Sequence, residues 1–350
     1  MNRDHHSDTG RGRLGASILC AVCLTIGLAP YARAQGETLQ DAISAYEIAE
    51  FDQAIDLLAS LVEDPQTSHE QRKEALQYLG RAAIAAHRSD QARDALLQLL
   101  ELEPPLYEPD PHIGPPDYTR LYYDLRHERG GSYAVERADP GMKTLAIMDF
   151  TNSSVDRHDD FDPLRQGFAS MMIHYLSGAT GLKVIERERI QWLLDELAMQ
   201  RDEGLVDPES AVRAGRLLGA TGVLFGAFTA HGDQLWISTR LVKVETGEVL
   251  LAEQVIGEPD DFFALVERLS TQVAEAIDVS LGAEDLGERR ETDSLDAMMA
   301  YSEGLVLMEQ GDPVGAQAHF QEALAHDPDY ELAERRLQGL RPLVAAAQAP

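Results

Sequence analysis

The chain has 350 residues, 44% of them hydrophobic, which suffices for two to three domains of about 100–200 residues each. Its 60 acidic residues against 30 basic ones give a formal net charge of -30. Such a surface repels phosphate backbones, which excludes nucleic acid as a partner.

Residues 1–34 are expected to be a signal peptide. Arg3, Arg11 and Arg13 precede the apolar run "LGASILCAVCLTIGLA", and Ala32 and Ala34 stand at the small-residue positions before a cut at Gln35. That run falls short of the roughly 20 apolar residues that cross a bilayer. Cys20 and Cys23 both lie within it, so the mature chain would hold no thiol and no disulfide. No later stretch is apolar enough to span, and no integral membrane span is expected in the mature chain.

Residues 35–104 predict helices. "AISAYEIAEFDQAIDLLASLVEDP" and "EALQYLGRAAIAAHRSDQARDALLQLLELEP" carry apolar residues at helical spacing, and each ends at a proline. In the second, Leu79, Gly80, Ala83, Ala92, Leu96 and Pro104 stand at the offsets of the tetratricopeptide (TPR) repeat, which this unit resembles. Small residues there let two antiparallel helices approach closely, and the proline stops the second. Residues 105–142 are rich in Pro and Gly and read as a connector with one short helix at "YTRLYYDLRHE". Tyr122 and Leu125 would cap the helical core from there.

Residues 143–282 alternate strand and helix. "KTLAIMDF" is a buried strand, and "PLRQGFASMMIHYLSGA" a helix with Phe168, Met171, Met172 and Tyr175 on one side. "LKVIER" is a strand, followed by a helix with Ile190, Leu193, Leu194 and Leu197 in a stripe. The next helix has Asp207 as N-cap, Pro208 at its first position and Gly219 at its end. Three strands follow, "TGVLFGAFTA", "QLWISTRLVKVE" and "EVLLAEQVIG", and then one long helix. Residues 293–345 return to helix, with Gly304, Ala316, Phe320, Ala323 and Pro328 again at TPR offsets. The expected fold class is α/β: a mixed-sheet sandwich flanked by TPR-like helical hairpins. The plainer reading of those hairpins is packing on a neighbour with nothing bound.

The stretches "KTLAIMDFTN", "KVIERERIQWLLDEL", "AGRLLGATGVLFGAFTAHG" and "LWISTRLVKVETGEVLLAEQVIG" occur in an order that resembles the curli assembly/transport component CsgG family. The resemblance implies an outer-membrane-linked periplasmic protein whose α/β domain self-associates in rings, hence a homo-oligomer. Pore-forming members insert membrane hairpins near the turn at His231 and after Gly257. Here those connections are only "AHGDQ" and "EPDD", too short for strands of about 9–11 residues each. The chain is expected to keep the soluble domain and lack the channel.

Catalytic motifs are missing: there is no H-E-x-x-H and no G-x-S-x-G, and no cofactor is expected. Asp156, His158, Asp159, Asp160 and Asp162 crowd the loop after the first strand and are weak candidates for a metal. Their spacing fits no EF-hand, and the alternative is a solvated loop whose Asp162 N-caps the next helix. His174 reads as a core histidine, and Trp192 and Trp236 as packing residues. The expected function is a non-enzymatic periplasmic protein that meets protein partners of the cell envelope in assembly or transport. A soluble TPR scaffold of surface or flagellar structures, and a metal-dependent hydrolase using the Asp156–Asp162 loop, are the alternatives.

Overall fold

The computed structural model describes residues 28–102, 109–110, 113–135, 141–155, 158–196, 208–281 and 292–348. Among the described residues, five helices come first: α1 (Leu28–Glu47), α2 (Phe51–Glu63), α3 (His69–Ala85), α4 (Ser89–Leu102) and α5 (Pro116–Gly130). The central part holds β1 (Lys143–Ile147), β2 (Thr151–Asn152), α6 (His158–Phe161), α7 (Leu164–Leu176), β3 (Leu182–Ile185), α8 (Arg187–Glu196) and α9 (Pro208–Leu217). It continues with β4 (Gly222–His231), β5 (Gln234–Lys243), β6 (Val249–Gly257) and α10 (Phe262–Ala276). Three helices close it: α11 (Leu295–Glu309), α12 (Pro313–His326) and α13 (Glu331–Gln348).

The six strands form one mixed sheet in the order β3-β1-β4-β5-β6, with β2 pairing β4. β1 runs parallel to β3 and β4, whereas β5 is antiparallel to both β4 and β6. The parallel strands are largely buried on both faces, which is why Leu145–Ile147 of β1 and Val184 and Ile185 of β3 are apolar in succession. His231 pairs directly with Gln234, so only Gly232 and Asp233 turn the β4–β5 hairpin. Gly232 has φ +57, the left-handed conformation that a tight hairpin turn requires. After β6 a short 3-10 turn, Pro259–Asp261, leads straight into α10. Neither connection holds an inserted hairpin, and no helix among the described residues is long and apolar enough to cross a membrane.

Each face of the sheet continues into a different helical unit. One core joins β-strand residues such as Leu145, Leu224 and Ile237 to α7, α10 and the closing helices, through Phe168, Phe262, Tyr301 and Phe320. The other joins Ala146, Met148 and Val223 to α8, α9 and the opening helices, through Trp192, Tyr118 and Tyr122. Within the closing unit, Gly304 lies so near Phe320 that a Cβ there would sit 2.5 Å from its ring. Two helices can approach that closely only with hydrogen at this position.

Some sequence expectations shift. α1 begins at Leu28 and runs through Ala34 and Gln35, earlier than the apolar periodicity indicated. The connector helix is a full 15 residues, because Tyr118, Tyr122, Tyr123 and Leu125 are all buried in the opening unit's core. Asp162 does not cap α7. Pro163 holds that place without a side-chain cap, and Asp162 instead pairs with Arg165 at 3.6 Å. His174 is half-buried rather than a core residue, since it faces a cleft beside α13.

Candidate functional site

The "ERER" stretch, Glu186–Arg189, sits where β3 ends and α8 begins. Successive residues of a helix point about 100° apart, so three neighbours can reach three different bodies. Arg187 turns inward: its Nε and Nη2 donate to the two oxygens of Asp149 at 2.8 and 2.9 Å, and its Nη1 lies 2.6 Å from Glu309 on α11. Glu188 accepts from Nη2 of Arg336 on α13 at 3.0 Å. Arg189 donates to the carbonyls of Tyr133 and Ala134, just beyond α5, and lies 5.2 Å from the centre of the Tyr123 ring. The three residues thus tie the sheet, the closing helices and the opening unit together.

These ions are buried: Arg187 and Arg336 are each 7% exposed. Burial by itself lowers the pKa of Arg187, yet Asp149 and Glu309 outweigh it and hold the guanidinium above its ordinary value. For Arg336, burial also lowers the pKa, and Tyr301 and Glu188 outweigh it. Both therefore stay cationic at any working pH and serve as fixed charges. Gln191, one turn along α8, donates to Asp149 at 3.2 Å and completes its hydrogen bonding.

On the other side of α8, Trp192 donates from Nε1 to Asp124 at 2.7 Å. Its ring packs on Tyr123 and Tyr133, with centroids 5.4 and 5.5 Å away, and His127 stacks on Tyr133 at 3.9 Å. This aromatic cluster seats α5 on α8.

Between these two joints lies a groove of about 690 Å³. Ile84, Trp192, Met308 and Leu343 give it apolar wall, and Arg120, Asp195 and Glu309 give it polar rim. The opening unit, α8 and the closing helices all contribute, so the groove exists only when the three are docked.

The residues singled out from the sequence fall into three sets. Leu79, Gly80, Ala83, Ala92 and Leu96 are buried together in the opening unit, whereas Pro104 lies outside the described residues. Gly304, Ala316, Phe320 and Ala323 are buried in the closing unit, and Pro328 is exposed in the turn after α12. Ala34 and Gln35 fall within α1. Of the acidic loop, Asp156 lies outside the described residues, and His158, Asp159 and Asp160 form the single turn α6. His158 and Asp159 stand 3.5 Å apart, but no three groups of that loop converge on a common point among the described residues. A convergence of that kind occurs instead at Glu303, His319 and Glu322, where the His319 Nδ1 lies 2.8 and 3.3 Å from the two carboxylates. There it ties α11 to α12. Asp149, Arg187 and Arg336 carried no signal of their own, because their partners lie far away in sequence.

No curated protein matches the chain. Among solved structures, TolB from Acinetobacter baumannii is similar at 13% identity and TM-score 0.27, over 41% of this chain and 29% of that one. The chain thus spans less than a third of the length of TolB. The LpoB C-terminal domain from Salmonella enterica is similar at 14% identity and TM-score 0.25, over 40% of this chain and 94% of that one. Lipoprotein GNA1162 from Neisseria meningitidis is similar at 15% identity and TM-score 0.28, over 37% and 96%. Residues 135–236, from the end of the opening unit to the start of β5, match the model of the family described as curli production assembly/transport component CsgG, and form a CsgG-like domain.

Proposed function

We propose that the protein is a non-enzymatic adaptor of the cell envelope, periplasmic and associated with the outer membrane, in which a CsgG-like domain carries two TPR-like helical units. Its work is to hold a protein partner for assembly or transport, without a pore of its own. The observation that carries this reading is the groove shared by α8 and both helical units, whose walls are apolar and whose rim is charged. TPR-type pairs present such grooves to peptides and helices, and residues 79–96 and 304–323 hold the small and apolar residues that close packing of that kind needs. The two short connections after β4 and β6 support a chain that has given up membrane hairpins.

The test uses the tagged full chain against envelope extract, beside a variant carrying Arg120→Glu and Ala347→Glu on the groove wall. Both positions are exposed, and the change gives up only the surface Arg120–Asp195 pair, 2.9 Å apart and worth about 0–1 kcal/mol, so the melting temperature should fall by no more than a few degrees. A partner retained by the wild type should fall about tenfold or more in the variant. A partner set that is identical for both proteins overturns the reading. The alternative, a scaffold of surface or flagellar structures that never forms rings, keeps the same groove and is separated by light scattering: a stable monomer favours it.

A further inference from the structure

A second groove, of about 420 Å³, shares no lining residue with the first. It lies where α9 crosses β4 and leaves the outer face of β5 and β6 uncovered. Arg213 and Arg216 project from α9, and Arg240 from β5, around a floor of Phe225, Val242 and Val249. Pairing fixes this arrangement: Phe225 lies opposite Arg240 across β4–β5, and Val242 opposite Val249 across β5–β6. Glu209 is the one acid on the rim, so the groove is locally cationic.

That local charge runs against the whole molecule, whose formal net charge is -30. All three arginines are exposed, and among the described residues none of them makes an ion pair or hydrogen bond. Every other cation described in the joints above has a carboxylate or carbonyl to meet. The floor also continues outward. Seven large hydrophobic residues are exposed among the described residues, and three of them, Val249, Leu250 and Ile256, lie on β6. β6 is a terminal strand of the sheet, so its outer edge offers unpaired backbone donors and acceptors.

We propose that this groove binds an acidic segment of a partner protein, lying on the open face of β4, β5 and β6, with an apolar side chain on the Phe225–Val242–Val249 floor and flanking carboxylates on Arg213, Arg216 and Arg240. Charge complementarity selects the occupant. At physiological salt, charges act over about 8 Å, so a short acidic peptide feels the three arginines and little of the distant acidic surface. An anionic membrane meets a far larger part of that surface and is repelled by it. The apolar floor supplies burial, and the arginines supply preference.

The experiment measures fluorescence anisotropy of fluorescein-labelled Asp-Glu-Leu-Phe-Asp-Glu with the purified full chain. The controls are the Lys-Lys-Leu-Phe-Lys-Lys analogue, the Arg213→Glu/Arg216→Glu/Arg240→Glu variant, and Val249→Glu on the floor. The acidic peptide should bind and the basic analogue should not. Binding should weaken about tenfold or more in the triple variant and at 1 M salt, where screening shrinks to about 3 Å. The triple variant should keep a near-wild-type melting temperature, since these exposed side chains make no ion pair or hydrogen bond among the described residues, and Val249→Glu should also weaken the acidic peptide. Unchanged affinity in the triple variant, or equal affinity for both peptides, overturns the proposal. So does sedimentation with phosphatidylcholine–phosphatidylglycerol vesicles that needs the arginines while the peptide fails to bind, or self-association of the chain that needs them. Because the variants here leave Arg120 and Ala347 intact, failure of this groove and failure of the adaptor reading are distinguishable.

Discussion

The opening and closing helical units dock on the same domain by opposite means. The opening unit is held mainly by tilted aromatic packing: Tyr123 and Tyr133 meet the Trp192 ring at 43° and 50° around one hydrogen bond to Asp124, with the buried cation Arg189 beside them. The closing unit is held by small residues and buried charge. Gly167 on α7 lies so close to α11 that a Cβ there would sit 2.1 Å from the Ser302 Oγ, and Arg187 and Arg336 clip α11 and α13 to the domain beside it. An aromatic joint gains from area and tolerates small shifts in angle. An ionic joint gains little net free energy, because desolvation opposes the attraction, but it penalises any wrong placement heavily. The closing unit is therefore set in one position, and the opening unit is seated more permissively.

Removing the centre of either joint should have the largest effect. Arg187→Met leaves Asp149, whose side chain is 11% exposed, without its cation, and should destabilise by about 3–5 kcal/mol. Trp192→Ala, from a residue 5% exposed, should destabilise by a similar about 3–5 kcal/mol through lost burial and a cavity. Urea unfolding gives both numbers, and limited proteolysis separates them: the first variant should free the closing helices and the second the opening ones. Release of the same unit by both variants would break the comparison.

A smaller effect is expected from Gly167→Val, about 1–3 kcal/mol, because the added carbons must push α7 away from Ser302 and Met298. A Val at this position that leaves the urea midpoint unchanged would show that α7 and α11 do not approach as described.

The smallest effect is a pH effect in the opening unit. Burial raises the Tyr46 phenol well above its ordinary 10.0, with Arg81 opposing the shift. The folded state keeps that proton where the unfolded chain releases it. The resulting stability is fully present below about pH 10 and is lost as pH rises beyond it. The Tyr46 hydroxyl has no hydrogen-bond partner among the described residues, so Tyr46→Phe should leave neutral stability almost unchanged and move the alkaline unfolding midpoint upward. An unmoved midpoint by circular dichroism would sink this account.

Much of the fold was legible from local pattern. The buried strand β1, the strands β3, β4, β5 and β6, the stripe of Ile190, Leu193 and Leu194, and Gly219 at the end of α9 with φ +69 were all readable from spacing, whereas Leu197 and the Asp207 cap lie outside the described residues. So was the closing hairpin, because Gly304 and Phe320 mark a close helix approach whichever core they join. The Asp162 cap failed because α7 begins one residue later than expected, with Pro163 in the cap position, and Asp162 pairs with Arg165 instead. The candidate site was the least legible part. "ERER" stood out as a motif, but nothing in it says which residue meets which body.

By itself, the sequence determined the elements, their buried faces, the two short turns that leave no room for an inserted hairpin, and the acidic balance of the surface. These follow from side-chain period and backbone conformation, which act over a few residues. The tertiary structure alone decided that Arg187 meets Asp149 at a sequence separation of 38, that Trp192 meets Asp124 at 68, and that Arg336 meets Glu188 at 148. It also decided that three arginines from α9 and β5 share one groove. Buried charges can be partnered only where the packed layers place an opposite charge, and no local period encodes that meeting.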